Sequence, residues 1–335
     1  MRTFAHMRKV LILGGTRFIG RVLVDRLQGM DDFELTLFNR GQTGGDLFPG
    51  IGRIVGDRST KDIDQIASTN WDVVVDLSCY FPGDLERVLS NLSGTPEKYV
   101  LISTCSVYDA SETTVLRDEE ATIVGCTRQQ YADPSPASYG NRKAECERVL
   151  QRSGLDHVIF RPAMVYGPYD PTDRLYYWLH QVKFKEELLI PDQGERRFSM
   201  TYVHDLVDAI VRSMQEPLRS SVYNVITIPE VSIGAIVRET CTLLGRSVPA
   251  FNASPEFLKQ NQVGPWVDMP LWLDGDHFTY SNLRLKRDLV WEPSDLKKSL
   301  ERTLAYYDER GWQQPTYGMQ EERRIELLEK CKLVG

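Results

Sequence analysis

The sequence predicts a doubly wound α/β domain followed by a smaller C-terminal lobe, and three observations predict it. Short apolar runs alternate with longer amphipathic ones through the first half, a glycine-rich turn follows the first apolar run at once, and the rhythm changes after Arg161-Pro162, where prolines become frequent. Strand–helix alternation of this kind builds a mostly parallel sheet covered on both faces, because each parallel crossover needs a helix-length connection. A chain of 335 residues has room for about two domains at roughly 150 residues each.

Taken in order, Lys9 to Leu13 (KVLIL) is the first strand, and Arg17 to Leu27 the first helix, with Phe18, Val22 and Leu23 near helical spacing. Phe33 to Phe38, Trp71 to Leu77 and Tyr99 to Ser103 are further strands, rich in β-branched and apolar residues, with a third strand of the series ending just before Gly56. Lys61 to Ala67 and Asp84 to Leu92 read as helices between them, and the helix Tyr139 to Arg152 leads into a strand at His157 to Phe160. Beyond that, Pro168, Pro171, Pro191, Pro217, Pro229 and Pro249 break up the helices. Ser199 to Val203, leading into a helix His204 to Met214, and Val222 to Ile226 still look like pieces of the sheet domain. Lys297 to Tyr307 reads as an amphipathic helix. Gln320 to Lys332 is so charged that a solvated appendage is expected.

Composition narrows the function classes. Hydrophobic residues make up 41% and charged residues 26%, the balance of a globular protein with a sizeable core. With 40 Lys and Arg against 47 Asp and Glu, the net charge of −7 argues against coating phosphate backbones, so no nucleic-acid partner is expected. The six cysteines form no C-x-x-C pair, and the five histidines lie too far apart to suggest a metal site. No apolar run approaches the roughly 18 residues a membrane span needs. Met1 to Met7 is too short and polar for a signal peptide. A soluble, cytoplasmic protein is expected.

Four motifs carry chemistry. Gly14-Gly15-Thr16-Arg17-Phe18-Ile19-Gly20 lies between the first strand and helix, where glycines let backbone approach a pyrophosphate whose charge the helix N-terminus favours. Arg17 stands where the middle glycine of G-x-x-G-x-x-G would be, and its guanidinium could pair with a phosphate. The second strand ends in Asn39-Arg40-Gly41. An acid there would accept from the adenosine ribose; an arginine instead suits a 2′-phosphate, so NADP(H) is favoured over NAD(H). Asp57, followed by Arg58, could accept from the adenine amino group, and it could equally cap its own loop.

The third motif is Tyr139-Gly140-Asn141-Arg142-Lys143. Positions i and i+4 share one helix face, and an ammonium beside a phenol favours the phenolate, turning an inert side chain into a general base or acid. Of the 15 tyrosines, only Tyr139 has a lysine four residues on. Ser135-Pro136 supplies a helix start. The fourth motif, Ser103-Thr104-Cys105-Ser106-Val107-Tyr108, sits at the carboxyl end of a strand, where parallel sheets bind ligands. Thr104 could hydrogen-bond the reacting oxygen.

With these residues in view the chain resembles the extended short-chain dehydrogenases/reductases, in their NAD-dependent epimerase/dehydratase group. The resemblance runs from about Lys9 to at least Trp291 and includes Arg161-Pro162-x-x-x-Tyr166-Gly167-Pro168 and Tyr202-Val203-His204-Asp205-Leu206. It implies a Rossmann-like sheet, with residues 1–167 and returning segments near 198–227 as the dinucleotide-binding domain. Residues 168–197 and 228–312 would form the substrate lobe, and 313–335 the charged terminal helix. By resemblance Thr104, Tyr139 and Lys143 take the catalytic positions, and Lys143 also contacts the nicotinamide ribose. Leu77, Ser78 and Arg161 join the cofactor site, and Tyr80, Cys105, Ser106, Tyr166, Arg197 and Arg284 the substrate site, with Arg174 and Arg196 as further phosphate candidates.

Arg17 and Asn39-Arg40-Gly41 look like an atypical branch that also holds isoflavone-reductase-like and chloroplast RNA-associated proteins. Hexose 4,6-dehydratases of the family carry Thr-Asp-Glu before Val-Tyr; this chain has Thr104-Cys105-Ser106, which disfavours their water elimination. The resemblance therefore implies an epimerase or ketoreductase acting on a nucleotide-linked sugar. The alternatives are a reductase of a non-sugar, isoflavone-like ketone and a non-catalytic RNA-associated binding protein. Trp266, Trp272 and His277, among Asp268, Asp274 and Asp276, could stack on a base or fill the lobe core. Homodimerisation through helices of the larger domain is a family expectation.

Overall fold

A computed structural model describes residues 7–273, 275 and 277–334; Asp274, Asp276 and the start of the Met1–Met7 segment lie outside the described residues. The first half alternates strands and helices: β1 (Arg8–Leu13), α1 (Phe18–Leu27), β2 (Phe33–Asn39), β3 (Gly52–Val55), β4 (Val73–Asp76), α2 (Pro82–Ser90), β5 (Lys98–Ile102), α3 (Arg128–Ala132), α4 (Tyr139–Arg152) and β6 (His157–Pro162). Then come β7 (Met164–Tyr166), α5 (Arg174–Phe184), β8 (Leu188–Pro191), β9 (Arg197–Tyr202), α6 (Val203–Gln215), β10 (Val222–Val225) and β11 (Ile228–Ser232). The chain closes with α7 (Ile233–Leu244), β12 (Ala250–Ala253), α8 (Pro255–Gln260), α9 (Leu283–Asp288), α10 (Leu296–Arg310) and α11 (Glu321–Val334). The Lys61–Ser68 segment is a 3₁₀ helix capped by Thr60, whose side chain accepts from the Asp62 amide.

Seven strands make one sheet in the order β10-β6-β5-β4-β1-β2-β3, with every neighbouring pair parallel. Alternation within β1 sends side chains to two separate cores: Val10 and Ile12 join one with Val22, Leu23 and Leu206, while Leu11 and Leu13 join another with Leu85, Val88 and Leu150. Helices α1 and α6 thus cover one face and α2 and α4 the other. From β1 the chain runs outward through β2 and β3, then crosses to β4 and runs the other way. The carboxyl ends of β1 and β4 therefore flank a switch point, where a crevice opens.

Two expectations need correction. The strand of Ser199–Val203 does not return to the main sheet; as β9 it lies between β11 and β7 in a separate three-stranded sheet, and only β10 returns, pairing with β6. Its helix, α6, nonetheless packs on α1. Nor is the terminal helix a solvated appendage. Leu327, Leu328 and Cys331 are buried, and Arg324 reaches under the lobe to donate to the Glu187 carbonyl at 3.0 Å. Those positions recur at helical spacing, and the apolar stripe packs on the two-stranded sheet of β8 and β12.

Candidate active site

Two cavities share the crevice at the carboxyl ends of β1, β4 and β5. The larger, about 1070 Å³, is lined by Gly14–Gly20, Asn39 and Arg40, Asp57 and Arg58, and Leu77, Ser78 and Tyr80. The smaller, about 680 Å³, is lined by Thr104–Ser106, Tyr139 and Lys143. Phe18, Ile19, Leu77, Tyr80 and Pro171 belong to both, so the two are continuous.

The first turn is shaped for close backbone approach. Gly14 and Gly15 have φ of +119° and +99°, and a Cβ on Gly20 would fall 2.6 Å from the Gly15 amide nitrogen. Arg17 is the N-cap of α1 and caps it with no side-chain hydrogen bond, so the first amides of the helix are left for an anion. Arg17 and Arg40 are exposed on the cavity wall. At the end of β2, Asn39 turns its side-chain oxygen onto the Gly41 amide at 3.0 Å. These features fit the phosphates of a dinucleotide.

In the loop after β3 the loop-capping role expected of Asp57 is present, and the residue also lines the larger cavity. Asp57 Oδ1 accepts from the Ser59 amide at 2.9 Å and the Ser59 hydroxyl at 2.7 Å, which holds the carboxyl below its usual range. The Asp57 side chain thus caps its loop while lining the cavity. Arg58 is the arm of a buried ion pair: its two terminal nitrogens donate to Asp76 at 2.7 and 2.8 Å, and Tyr99 donates to the same carboxylate at 2.9 Å. Burial opposes the Asp76 charge, but Arg58 outweighs it and holds the carboxyl below its ordinary value. Arg58 braces the loop on the end of β4 and contributes little free charge to a ligand.

Catalytic candidates come from two elements, α4 and the end of β5. Lys143, one turn into α4, is buried, and its Nζ donates to the carbonyls of Cys79 at 2.7 Å and Ile102 at 2.6 Å. Burial disfavours the ammonium, but Cys79, then Tyr139, outweigh it and the lysine pKa stands above its ordinary value. Two of its three N–H groups are spent on carbonyls, leaving one for the cleft. Half-buried Tyr139 opens α4. Thr104 follows β5; its hydroxyl accepts from the Ser106 amide at 3.1 Å and donates to the Ser106 hydroxyl at 3.2 Å. Gly140 lets these segments meet, since a Cβ there would fall 2.2 Å from the Ser106 carbonyl oxygen.

Cys105 lines the smaller cavity, but its thiol donates to the Arg161 carbonyl at 3.3 Å and burial pushes its pKa far up, so it is a structural thiol rather than an acid. Four expected site residues lie outside both cavities. Arg161 is buried against Glu147, at 3.0 and 2.6 Å, and accepts no role at the cleft surface. Tyr166 is buried and donates to Ser299 at 2.6 Å. Arg197 pairs with Glu230 at 3.1 Å, and Arg284 with Glu119 and Glu120. Arg174 instead faces the smaller cavity, its guanidinium 5.3 Å from the Trp266 ring, beside Leu273, Phe278 and Tyr280. Arg142, which also lines the larger cavity, escaped the sequence analysis, because nothing in a helical pattern shows that a charged side chain is buried and faces a cleft. Among the described residues no cluster could hold a metal, and no helix is long and apolar enough to cross a membrane.

Residues 10–228 match the NAD dependent epimerase/dehydratase family. The chain belongs to this family. Among curated proteins it is 25% identical over 315 residues to the chloroplast stem-loop binding protein of 41 kDa b of Arabidopsis thaliana, covering 88% of this chain and 77% of that protein. It is also 25% identical to the UDP-glucose 4-epimerase of Vibrio cholerae, over 71% of this chain and 76% of the relative. Among solved structures, the UDP-glucuronic acid 4-epimerase of Bacillus cereus, in complex with UDP-glucuronic acid and NAD, superposes with a TM-score of 0.69 at 18% identity, over 90% of this chain and 99% of that one. The dTDP-glucose 4,6-dehydratase of Bacillus anthracis, in complex with NAD, does so at 0.68 and 18%, over 96% and 99%. At such identity the structural likeness establishes the fold: a Rossmann-like sheet shared by the family's epimerases and dehydratases.

Proposed function

We propose that this family member is an NAD(P)-dependent epimerase or ketoreductase that works at a carbinol or keto carbon. The observation carrying this reading is the convergence of Tyr139, Lys143 and Thr104 on one cavity continuous with the Gly14–Gly20 cleft. A nicotinamide dinucleotide, when bound, supplies or takes up the hydride. Gly14–Gly20 would hold its phosphates, and Lys143 its nicotinamide ribose. Tyr139 gives a proton to, or takes one from, the substrate oxygen at its phenolic oxygen. Lys143, one helical turn from Tyr139, brings its ammonium to the same cavity, and Thr104 donates to the same substrate oxygen. The absence of carboxylates at Cys105 and Ser106 leaves this site without the acids of a 4,6-dehydratase.

Two features support NADP(H) over NAD(H): no acid ends β2, and Arg40 stands exposed there on the cavity wall. The curated epimerase relative supports a nucleotide-linked sugar as substrate. Arg174 on Trp266 is the guanidinium at the smaller cavity, in the role first expected of Arg197 or Arg284. The apolar wall of Leu273, Phe278 and Tyr280 also suits a non-sugar ketone.

The deciding experiment is mass spectrometry of any nucleotide released by denaturing the freshly purified protein, paired with thermal shifts on adding NADPH or NADH. Stoichiometric retained nucleotide supports an epimerase, which must return the hydride it takes. An apo protein stabilised by NADPH supports a reductase that exchanges cofactor each turnover. No nucleotide and no shift with either overturns the enzyme reading in favour of a binding protein like the stem-loop binding relative.

A further inference from the structure

Four arginines are buried among the described residues: Arg117, Arg142, Arg161 and Arg324. Arg161 and Arg324 sit on carboxylates, and Arg117 lies over the rings of Tyr108 and Tyr280 with the carbonyls of Asp109 and His277 as acceptors. Arg142 differs from all three, because it lines a cavity. It is 4% exposed, its Nε donates to the Tyr80 carbonyl at 3.3 Å, its Nη1 to the Ser135 carbonyl at 3.2 Å, and its guanidinium lies 4.7 Å from the Phe81 ring. These hydrogen-bond partners are neutral; the Asp133 carboxylate feels the Arg142 charge but forms no ion pair with it, and among the described residues no hydrogen bond engages Nη2.

Burying a guanidinium without a directly paired counter-ion is unfavourable, and an anion that completes the site offsets the penalty. The cavity that Arg142 lines is the one that also contains the anion-ready turn of Gly14–Gly20. We propose that Arg142 binds the diphosphate of the dinucleotide from the α4 side of the cavity, while the α1 amides hold it from the other element. Its position along the cleft selects the diphosphate over a 2′-phosphate. Arg40 ends β2, at the edge-strand side of the switch point, whereas Arg142 is tied to the carbonyl of Tyr80, just after β4 and at the junction of the two cavities. The diphosphate lies midway along a dinucleotide, and Tyr80, to which Arg142 is bonded, lines both cavities. A planar guanidinium suits it, offering two parallel donors to neighbouring oxygens.

This inference rests on the dinucleotide reading, and its test separates the two. Isothermal titration calorimetry would compare wild type, Arg142→Gln and Arg142→Lys with NADP, inorganic pyrophosphate and adenosine 2′-monophosphate. Arg142→Gln weakens NADP and pyrophosphate roughly ten- to hundredfold, the scale of one lost charged hydrogen bond, and leaves adenosine 2′-monophosphate nearly unchanged. Arg142→Lys recovers part of the loss, because it keeps the charge without the fork, and it provides a folded variant if glutamine disturbs the Tyr80 and Ser135 carbonyls. NADP binding unchanged in Arg142→Gln overturns the inference while leaving the dinucleotide reading intact. Equal losses for all three probes also overturn it, since that is the signature of a brace for the Tyr80 loop. A wild-type protein that binds no NADP overturns the reading beneath it.

Discussion

Tyr139, Lys143 and Thr104 reach one cavity from α4 and from the end of β5, and each holds a different part of the proposed reaction. Tyr139 is the proposed proton carrier, so Tyr139→Phe should remove one hydroxyl and the general acid–base contribution, roughly 10²–10⁴-fold in kcat. Binding of NADPH should be unchanged, because Lys143 keeps its two carbonyl partners. The check is turnover of whichever nucleotide-linked sugar or ketone the wild type accepts, alongside cofactor titration; an unaltered rate would remove Tyr139 from the mechanism. Arg40 is the second test at this scale. Arg40→Ala should weaken NADP about tenfold, the value of a charge-assisted phosphate contact, while NAD binding stays level; equal losses would end the argument for a 2′-phosphate. These residues were legible because their motifs are local: four residues of helix for Tyr139 and Lys143, one strand end for Thr104. That Arg161, Tyr166, Arg197 and Arg284 stand outside both cavities was not legible, because their partners, Glu147, Ser299, Glu230 and Glu119, lie from 14 to 165 positions away, beyond any local pattern.

At the scale of elements, the site depends on how closely α4 approaches the turn after β5. Gly140 sets that approach, since a Cβ there would meet the Ser106 backbone oxygen at 2.2 Å, and a carbonyl within a hydrogen-bonded turn cannot yield as a flexible side chain would. Gly140→Ala should therefore push α4 away from Thr104. Overpacking of this kind destabilises by about 1–3 kcal/mol, and a misplacement on the order of 1 Å between catalytic groups costs about 10²-fold in rate. Thermal unfolding and kcat should fall together, with NADPH affinity less affected; a variant with wild-type activity would show that the approach is slack. Strand and helix positions in the first half were legible because buried parallel strands read as apolar runs. Membership of a sheet was less so. Phe198, Met200 and Tyr202 of β9 carry the same buried pattern as the main strands, and only tertiary pairing decides which sheet receives them. The terminal helix misled because charge outnumbers apolar content, although Leu327, Leu328 and Cys331 mark a stripe that the packing uses.

Over the whole molecule, the lobe beyond β6 is knitted by aromatic contacts and by chain returning from far away, and one buried histidine makes that knitting pH-sensitive. His180 in α5 is 3% exposed, packs 5.7 Å from Tyr176, 4.7 Å from Phe184 and 6.4 Å from Trp312, and leaves Nδ1 without a partner. Burial, and then the Lys185 charge, lower its pKa below the ordinary histidine value. A folded pKa below that of the unfolded chain, about 6.5, means that the unfolded state binds more protons once the pH falls through that range. Stability is therefore full above about pH 6.5 and is lost on acidification toward the folded pKa. The carboxyls that burial raises, such as Asp170 and Asp205, shift stability the opposite way, but they start from carboxylate values near 4 and weigh less between pH 7.5 and 6. In that window the melting temperature should drop by about one to two degrees, since a single proton contributes at most about 1 kcal/mol in a chain of this length. His180→Gln keeps an amide of similar size in the aromatic cluster but cannot titrate, so it should reduce the slope, even where it lowers the midpoint itself, to the share left by His204, whose pKa burial also lowers. A wild-type midpoint constant from pH 7.5 to 6, or a slope undiminished by the substitution, would place the pH sensitivity elsewhere in the molecule.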